Sequence, residues 1–189
     1  MQEISYNEQI KESRMLLWEI IKNIKPLPFE WQDNIHARFN SIHARYGIVY
    51  EKKKLAVLNK TLSVTNIVFG TLETESGSFS QKELNLSLTG YGNIREVFAT
   101  VGAAVIANKP KTNLIVIGAG DNVKEKRSHL YSLAISDIIS DLPEYADVYY
   151  VEDKVGNKLT VMSDENLSKE MQIELAKLIG LDKLIEGPV

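Results

Sequence analysis

The sequence predicts an α/β fold of the α+β kind: a mixed, mostly antiparallel sheet with a central β-α-β crossover, preceded by two N-terminal helices. Three observations predict it. Leu84, Leu86 and Leu88 alternate with Glu83, Asn85 and Ser87, the period of a strand with one buried and one wet face. The turn Thr89-Gly90-Tyr91-Gly92 then leads into an apolar helix from Asn93 to Asn108. Asn113 to Ile117 follows as a continuous apolar run, as expected of a strand covered on both faces. A right-handed crossover from the strand at 83–88 into a parallel neighbour joins these pieces.

Upstream, Ile10, Leu17, Ile20, Ile21 and Ile24 recur at helical spacing until Lys25-Pro26-Leu27-Pro28, where neither proline can continue a helix. A second helix is expected over Ile35, Phe39, Ile42 and Tyr46. It contains a near repeat, Ile35-His36-Ala37-Arg38-Phe39 and Ile42-His43-Ala44-Arg45-Tyr46, whose heptad offset suits packing against the first helix. After Gly47, Ile48-Val49-Tyr50 and Leu55-Ala56-Val57-Leu58 flank Glu51-Lys52-Lys53-Lys54, which reads as a hairpin turn. Leu62 to Leu72 is a further β-rich run, giving three or four antiparallel strands before the crossover.

Asn93 and Glu96 form the reciprocal capping pair of the central helix. Beyond Gly118-Ala119-Gly120-Asp121, a second amphipathic helix carries Leu130, Tyr131, Ala134, Ile135, Ile138 and Ile139, and stops at Pro143. Ala146 to Val151 and Lys158 to Met162 are strands of a hairpin turning at 153–157. Ser163 or Asp164 caps a last helix through Leu167, Met171, Leu175 and Leu178, with Gly180 at its end. The tail from Leu181 is left to dock or fray.

In a chain of 189 residues, an apolar share of 44% supports one substantial core. The expected organisation is a single compact domain, with a helical segment over 1–46 packed on an α/β domain over 47–189. No window reaches the roughly 18 apolar residues that cross a bilayer, and Met1-Gln2-Glu3 does not open a signal peptide, so a soluble, cytoplasmic protein is expected. The absence of cysteine excludes disulfides, thiol nucleophiles and thiolate metal sites.

The net charge of -3 is unevenly spread. Residues 35–60 hold six Lys or Arg against Glu51, a balance of +5; residues 141–189 hold eleven acids and five bases, a balance of -6. Such polarity orients subunits head to tail or steers a partner. A pI near 5.7 argues against general nucleic-acid binding. On a helix, His36 and His43 would sit roughly 10 Å apart along the axis, too far for one metal ion, and no metal site is expected.

Two glycine turns stand between a strand and a helix, where free amides attract anions. Gly118-x-Gly120 has Val123 where the dinucleotide fingerprint needs its third glycine. Gly90-x-Gly92 stands in a different order of elements: helices, antiparallel strands, strand, glycine turn, buried helix, strand, helix, hairpin. That order resembles the GNAT-type N-acetyltransferase fold. The resemblance implies a coenzyme A pyrophosphate cradle at Gly90, Gly92 and Asn93, and a thiolate-protonating acid at Tyr131. Ser87 stands where the family carries Gln or Arg.

A fainter similarity, to uncharacterised tailed-phage proteins, rests on Gly92-Asn93, Val97-Phe98-Ala99-Thr100-Val101, Leu114-Ile115-Val116-Ile117 and Arg127-Ser128-His129-Leu130-Tyr131. It implies a phage-encoded, virion-associated protein. No Gly-x-Ser-x-Gly elbow, Walker loop or His-Glu-x-x-His helix is present.

The expected function is therefore a noncatalytic interaction or assembly protein on a GNAT-like scaffold. Arg38 and Arg45 form its contact surface for a protein partner or a second copy, without cofactor. The alternative is an N-acyltransferase using acetyl-coenzyme A.

Overall fold

The computed structural model describes residues 23–73, 79–85, 94–118, 142–145, 147–153, 158–178 and 181–185. These form an α+β fold built on one mixed sheet of nine strands: β1 (Phe29–Trp31), β2 (His36–Asn40), β3 (Arg45–Val57), β4 (Lys60–Leu72), β5 (Leu84–Asn85), β6 (Leu114–Gly118), β7 (Asp147–Asp153), β8 (Lys158–Ser163) and β9 (Leu181–Ile185). Two described helices accompany it, α1 (Ile94–Ala107) and α2 (Lys169–Leu178). The order across the sheet is β1-β2-β3-β4-β6-β8-β7-β9, with β5 also paired to β4. All pairings are antiparallel except β4 with β6.

The expected helix over Ile35 to Tyr46 is absent; the same residues form β2, a tight turn and the start of β3. Ala37 and Phe39 are buried while His36 and Arg38 are only partly covered, so a strand's alternation explains the sequence better than a helix stripe. The near repeat is folded on itself. The antiparallel register sets Phe39 opposite Tyr46, and their rings stack at 5.0 Å with 6° between planes. The seven-residue offset therefore comes from a hairpin, whose turn is closed by the Ser41 hydroxyl accepting from the amides of His43 and Ala44. The first expected helix falls on residues outside those described, apart from its end.

Glu51 to Lys54 is likewise no turn. β3 runs unbroken through it, pairing with β4 from Tyr46↔Thr71 to Val57↔Lys60, and the chain reverses at Leu58 and Asn59. Leu58 takes a left-handed backbone (φ 54°) there. β2 accompanies β3 only as far as Val49, so the lysine stretch lies along a strand with an unpaired outer edge among the described residues. Charged side chains at such an edge discourage pairing with other chains.

The crossover also differs from expectation. β5 is antiparallel to β4, whereas β6 is parallel to β4, so β5 and β6 run in opposite directions and the parallel connection starts from β4. Leu84 is buried as expected, and Leu86 to Asn93 lies outside the described residues.

The helix from Ile94 to Ala107 and the strand from Leu114 are as the sequence indicates. On β6, Ile115 and Ile117 face Val97, Phe98, Val101 and Val105 of α1, while Leu114 and Val116 join Met171, Leu175 and Ala176 of α2 on the opposite face. Burial on both sides is why this strand reads as one apolar run. The cap of α2 is Ser168, whose hydroxyl accepts from the Met171 amide at 3.3 Å; Ser163 belongs to β8 instead. Residues 181–185 form β9, antiparallel to β7.

The stretch Leu27 to Trp31 crosses α1 and fixes it. The Leu27 amide donates to the Thr100 hydroxyl at 2.8 Å, and Trp31 Nε1 donates to the Ala104 carbonyl at 3.2 Å. The Tyr50 hydroxyl donates to the Asn108 carbonyl at 3.0 Å, so carbonyls at the end of α1 find partners on β1 and β3.

Candidate contact surface on strands β1 to β3

The face of the sheet away from α1 is built, at its β1 end, from alternate residues of three strands. Glu30 on β1 pairs with Arg38 on β2, Arg38 with Gly47 on β3, and Asn40 with Arg45. Directly paired residues project to the same side, so Glu30, Arg38, Asn40 and Arg45 share one face. Together with Pro28, Phe29, Gln32 and Phe39 they line an open concavity of about 560 Å³.

Phe79 packs on this same face, over β3 at Gly47. Its ring is buried, and it rests against Gly47 so closely that a Cβ at residue 47 would lie 2.5 Å from Phe79 Cε2 and 2.9 Å from Leu72 Cδ1. Glycine is required at 47 by this approach. The Arg38 guanidinium carbon lies 5.0 Å from the centre of the Phe79 ring, within cation–π range, and His36 meets the same ring edge-on at 5.3 Å.

The β1–β2 loop is held by Asp33. Its carboxylate accepts from the amides of Ile35 and His36, both at 2.7 Å, and meets His36 Nδ1 at 2.7 Å. Burial alone would raise the Asp33 pKa, but these hydrogen bonds outweigh it and hold the carboxyl below its usual value. His36 is therefore occupied locally. At the β2–β3 tip, Ile42 is 88% exposed beside the exposed His43, an apolar side chain at the rim of a cationic face.

The structure thus brings Arg38 and Arg45 together, as a face of a hairpin and not as a column on a helix. Phe79, Glu30 and Asn40 were not singled out by the sequence, and Ile42 only as a position on the expected helix; the alternation in His36-Ala37-Arg38-Phe39 was the signal that would have put Arg38 and Asn40 on one strand face. Gly90, Gly92, Asn93 and Tyr131, the residues of the coenzyme A reading, lie outside the described residues, as does Ser87. Among the described residues no group of three or more His, Asp or Glu is placed to hold a metal ion, and no helix is long and apolar enough to cross a membrane. No family model, curated protein or solved structure matches the chain.

Proposed function

We propose that the chain is a noncatalytic interaction or assembly protein whose β1–β3 face receives an acidic protein surface. The observation that carries this reading is the placement of Arg38 and Arg45 on one face of the β2–β3 hairpin, lining the same concavity. Arg38 and Arg45 line it together with Glu30, and arginine suits carboxylates because its planar fork donates two parallel hydrogen bonds. Ile42 at the tip supplies an exposed apolar anchor beside them. The likeness of the central stretch to tailed-phage proteins supports a virion as the setting.

Fluorescence anisotropy with a labelled poly-glutamate peptide tests the surface. Saturable binding at low salt, weakened about tenfold or more in Arg45→Glu and falling as salt is added, is the expected result. Equal binding by wild type and Arg45→Glu would remove the assignment.

A further inference from the structure

We propose that the open edge of β3 is a second docking site, which takes an acidic segment of a partner protein in extended form, as an added strand. The site is separate from the β1–β3 face and does not depend on it.

β2 accompanies β3 only as far as Val49, and the Tyr50 amide makes the last bond on that side, donating to the Ile35 carbonyl at 2.8 Å. In an antiparallel pair, alternate residues turn both of their backbone groups toward the same neighbour. Tyr50 turns its groups toward β2, so Lys52, Lys54 and Ala56 direct theirs to the same side, where no strand follows among the described residues. The far end of the strand gives the same phase. Val57 pairs with Lys60 across the turn Leu58-Asn59, and the closing residues of such a hairpin bond to each other. Because the register from Val57 to Tyr46 has no shift, Leu55, Lys53 and Glu51 also bond inward to β4. Lys52, Lys54 and Ala56 therefore each hold out one N–H and one C=O.

The side chains follow the same alternation. Lys52 and Lys54 stand on the side of the sheet that Tyr50 buries under α1, whereas Lys53 stands on the other side with Glu51. Lys53 has a contact there, 3.7 Å from Glu51. Lys52 and Lys54 are exposed, and neither has an ionic or side-chain hydrogen-bond partner among the described residues. The residues whose amides face outward are thus the ones whose ammonium groups are unpaired.

That coincidence selects the occupant. A strand laid along this edge sets one residue opposite Lys52 and another opposite Lys54, two apart and on one face. A neutral or basic segment desolvates both ammonium groups without compensation and is rejected. Carboxylates at those two positions pair with the lysines, so the edge favours an acid-x-acid segment. Backbone bonds supply the affinity of such an added strand, and alternate side chains its specificity. The phosphates of a nucleic acid could meet the lysines, but they donate nothing to the outward carbonyls.

A labelled, capped peptide Val-Thr-Glu-Thr-Glu-Thr-Val, added to the full chain at neutral pH and low salt, tests the site by anisotropy and by NMR-detected amide exchange. Saturable binding is expected, weakened about tenfold or more in Lys52→Glu/Lys54→Glu and unchanged in Arg45→Glu. The amides of Lys52 and Lys54 should exchange quickly in the free chain and slowly with peptide bound, while the Lys53 amide, bonded to β4, stays slow throughout. Circular dichroism melts establish that the variants are folded, and Lys52→Gln/Lys54→Gln takes the place of the charge reversal if that variant unfolds.

No saturable binding, equal binding by the lysine variant, or binding without protection at Lys52 and Lys54 overturns the proposal. So does equally tight binding of an oligothymidylate, which would make the edge a general polyanion site. If Arg45→Glu abolishes peptide binding and the lysine variant does not, the peptide sits on the β1–β3 face: the edge site fails and the contact surface stands.

Discussion

The two ends of the β3–β4 ladder are made by the same pair of strands, yet they live in different surroundings. At one end, Tyr46, Ile48 and Tyr50 lie under α1 with Ile67 and Phe69, while Val49 and Val68 on the reverse side pack with Phe79, Leu72 and Leu84. At the other, Lys52, Lys53 and Lys54 are exposed and their strand has no neighbour on its outer edge among the described residues. The difference shows that side-chain composition along a strand follows what covers it, not whether the backbone is extended. A strand can read as a turn where its own side chains are exposed, and as continuous core where both faces are covered.

The covered end should be the more fragile under substitution, and Phe79 with Gly47 is its tightest contact. Phe79→Ala is expected to cost about 3–5 kcal/mol in urea denaturation, the usual range for deleting a buried phenyl ring. Gly47→Ala is expected to cost about 1–3 kcal/mol, because its methyl must displace the ring and Leu72. The informative measurement is the double variant. With the ring gone, the alanine methyl enters vacated space, so the two penalties should fall well short of adding. Additive penalties would mean that Phe79 is not what restricts residue 47.

A smaller, pH-dependent difference separates the α1 side from the rest. The Tyr145 hydroxyl lies 2.9 Å from the carbonyls of both Pro110 and Thr112, and burial pushes its pKa from 10.0 up to about 12, with the Asp164 charge adding to the rise. Burial also pushes the Tyr50 phenol far upward. A folded-state pKa above the unfolded value favours the protonated phenol in the fold. That contribution is complete below pH 10 and is lost as pH climbs toward 12. Tyr145→Phe should lose about 1 kcal/mol at neutral pH through the orphaned carbonyls, and it should show a shallower decline of stability between about pH 10 and 12. Denaturation midpoints across that range check it; parallel declines in the two proteins would assign the effect to other groups.

The same contrast in cover explains what could be read from the sequence. The α1 helix and β6 were legible because their surroundings are uniform: Val97, Phe98, Val101 and Val105 meet Ile115 and Ile117 across one interface, and β6 is buried on both sides. The β7–β8 hairpin showed itself by length and turn. β2 was not legible, because an alternating five-residue strand beside a seven-residue repeat also fits a helix face, and only the pairing of Phe39 with Tyr46 decides between them. The direction of β5 was hidden for another reason: local pattern reports that a strand exists, while its partner is chosen by residues far away, here Thr71 and Leu72. Of the candidate site, the two arginines were visible as residue types, but the Phe79 ring under Arg38 joins positions that no local pattern connects.

The exposed end of the ladder supports the smallest change in stability and a qualitatively different outcome. Lys53 is exposed, and its contact to Glu51 is a 3.7 Å surface ion pair of the kind that contributes little. Lys53→Val should therefore alter the free energy of unfolding by less than about 0.5 kcal/mol. A β-branched residue also suits the strand conformation that β3 already has. What the lysine supplies is protection of the unpaired edge, since bringing another chain's strand alongside would desolvate three adjacent ammonium groups at Lys52 to Lys54. Lys52→Thr/Lys53→Val/Lys54→Thr is then expected to keep the wild-type melting profile at low concentration, yet to gain light scattering and thioflavin fluorescence during incubation at high concentration. A triple variant that remains as free of aggregates as wild type would show that the β3 edge is kept single by something other than its charge.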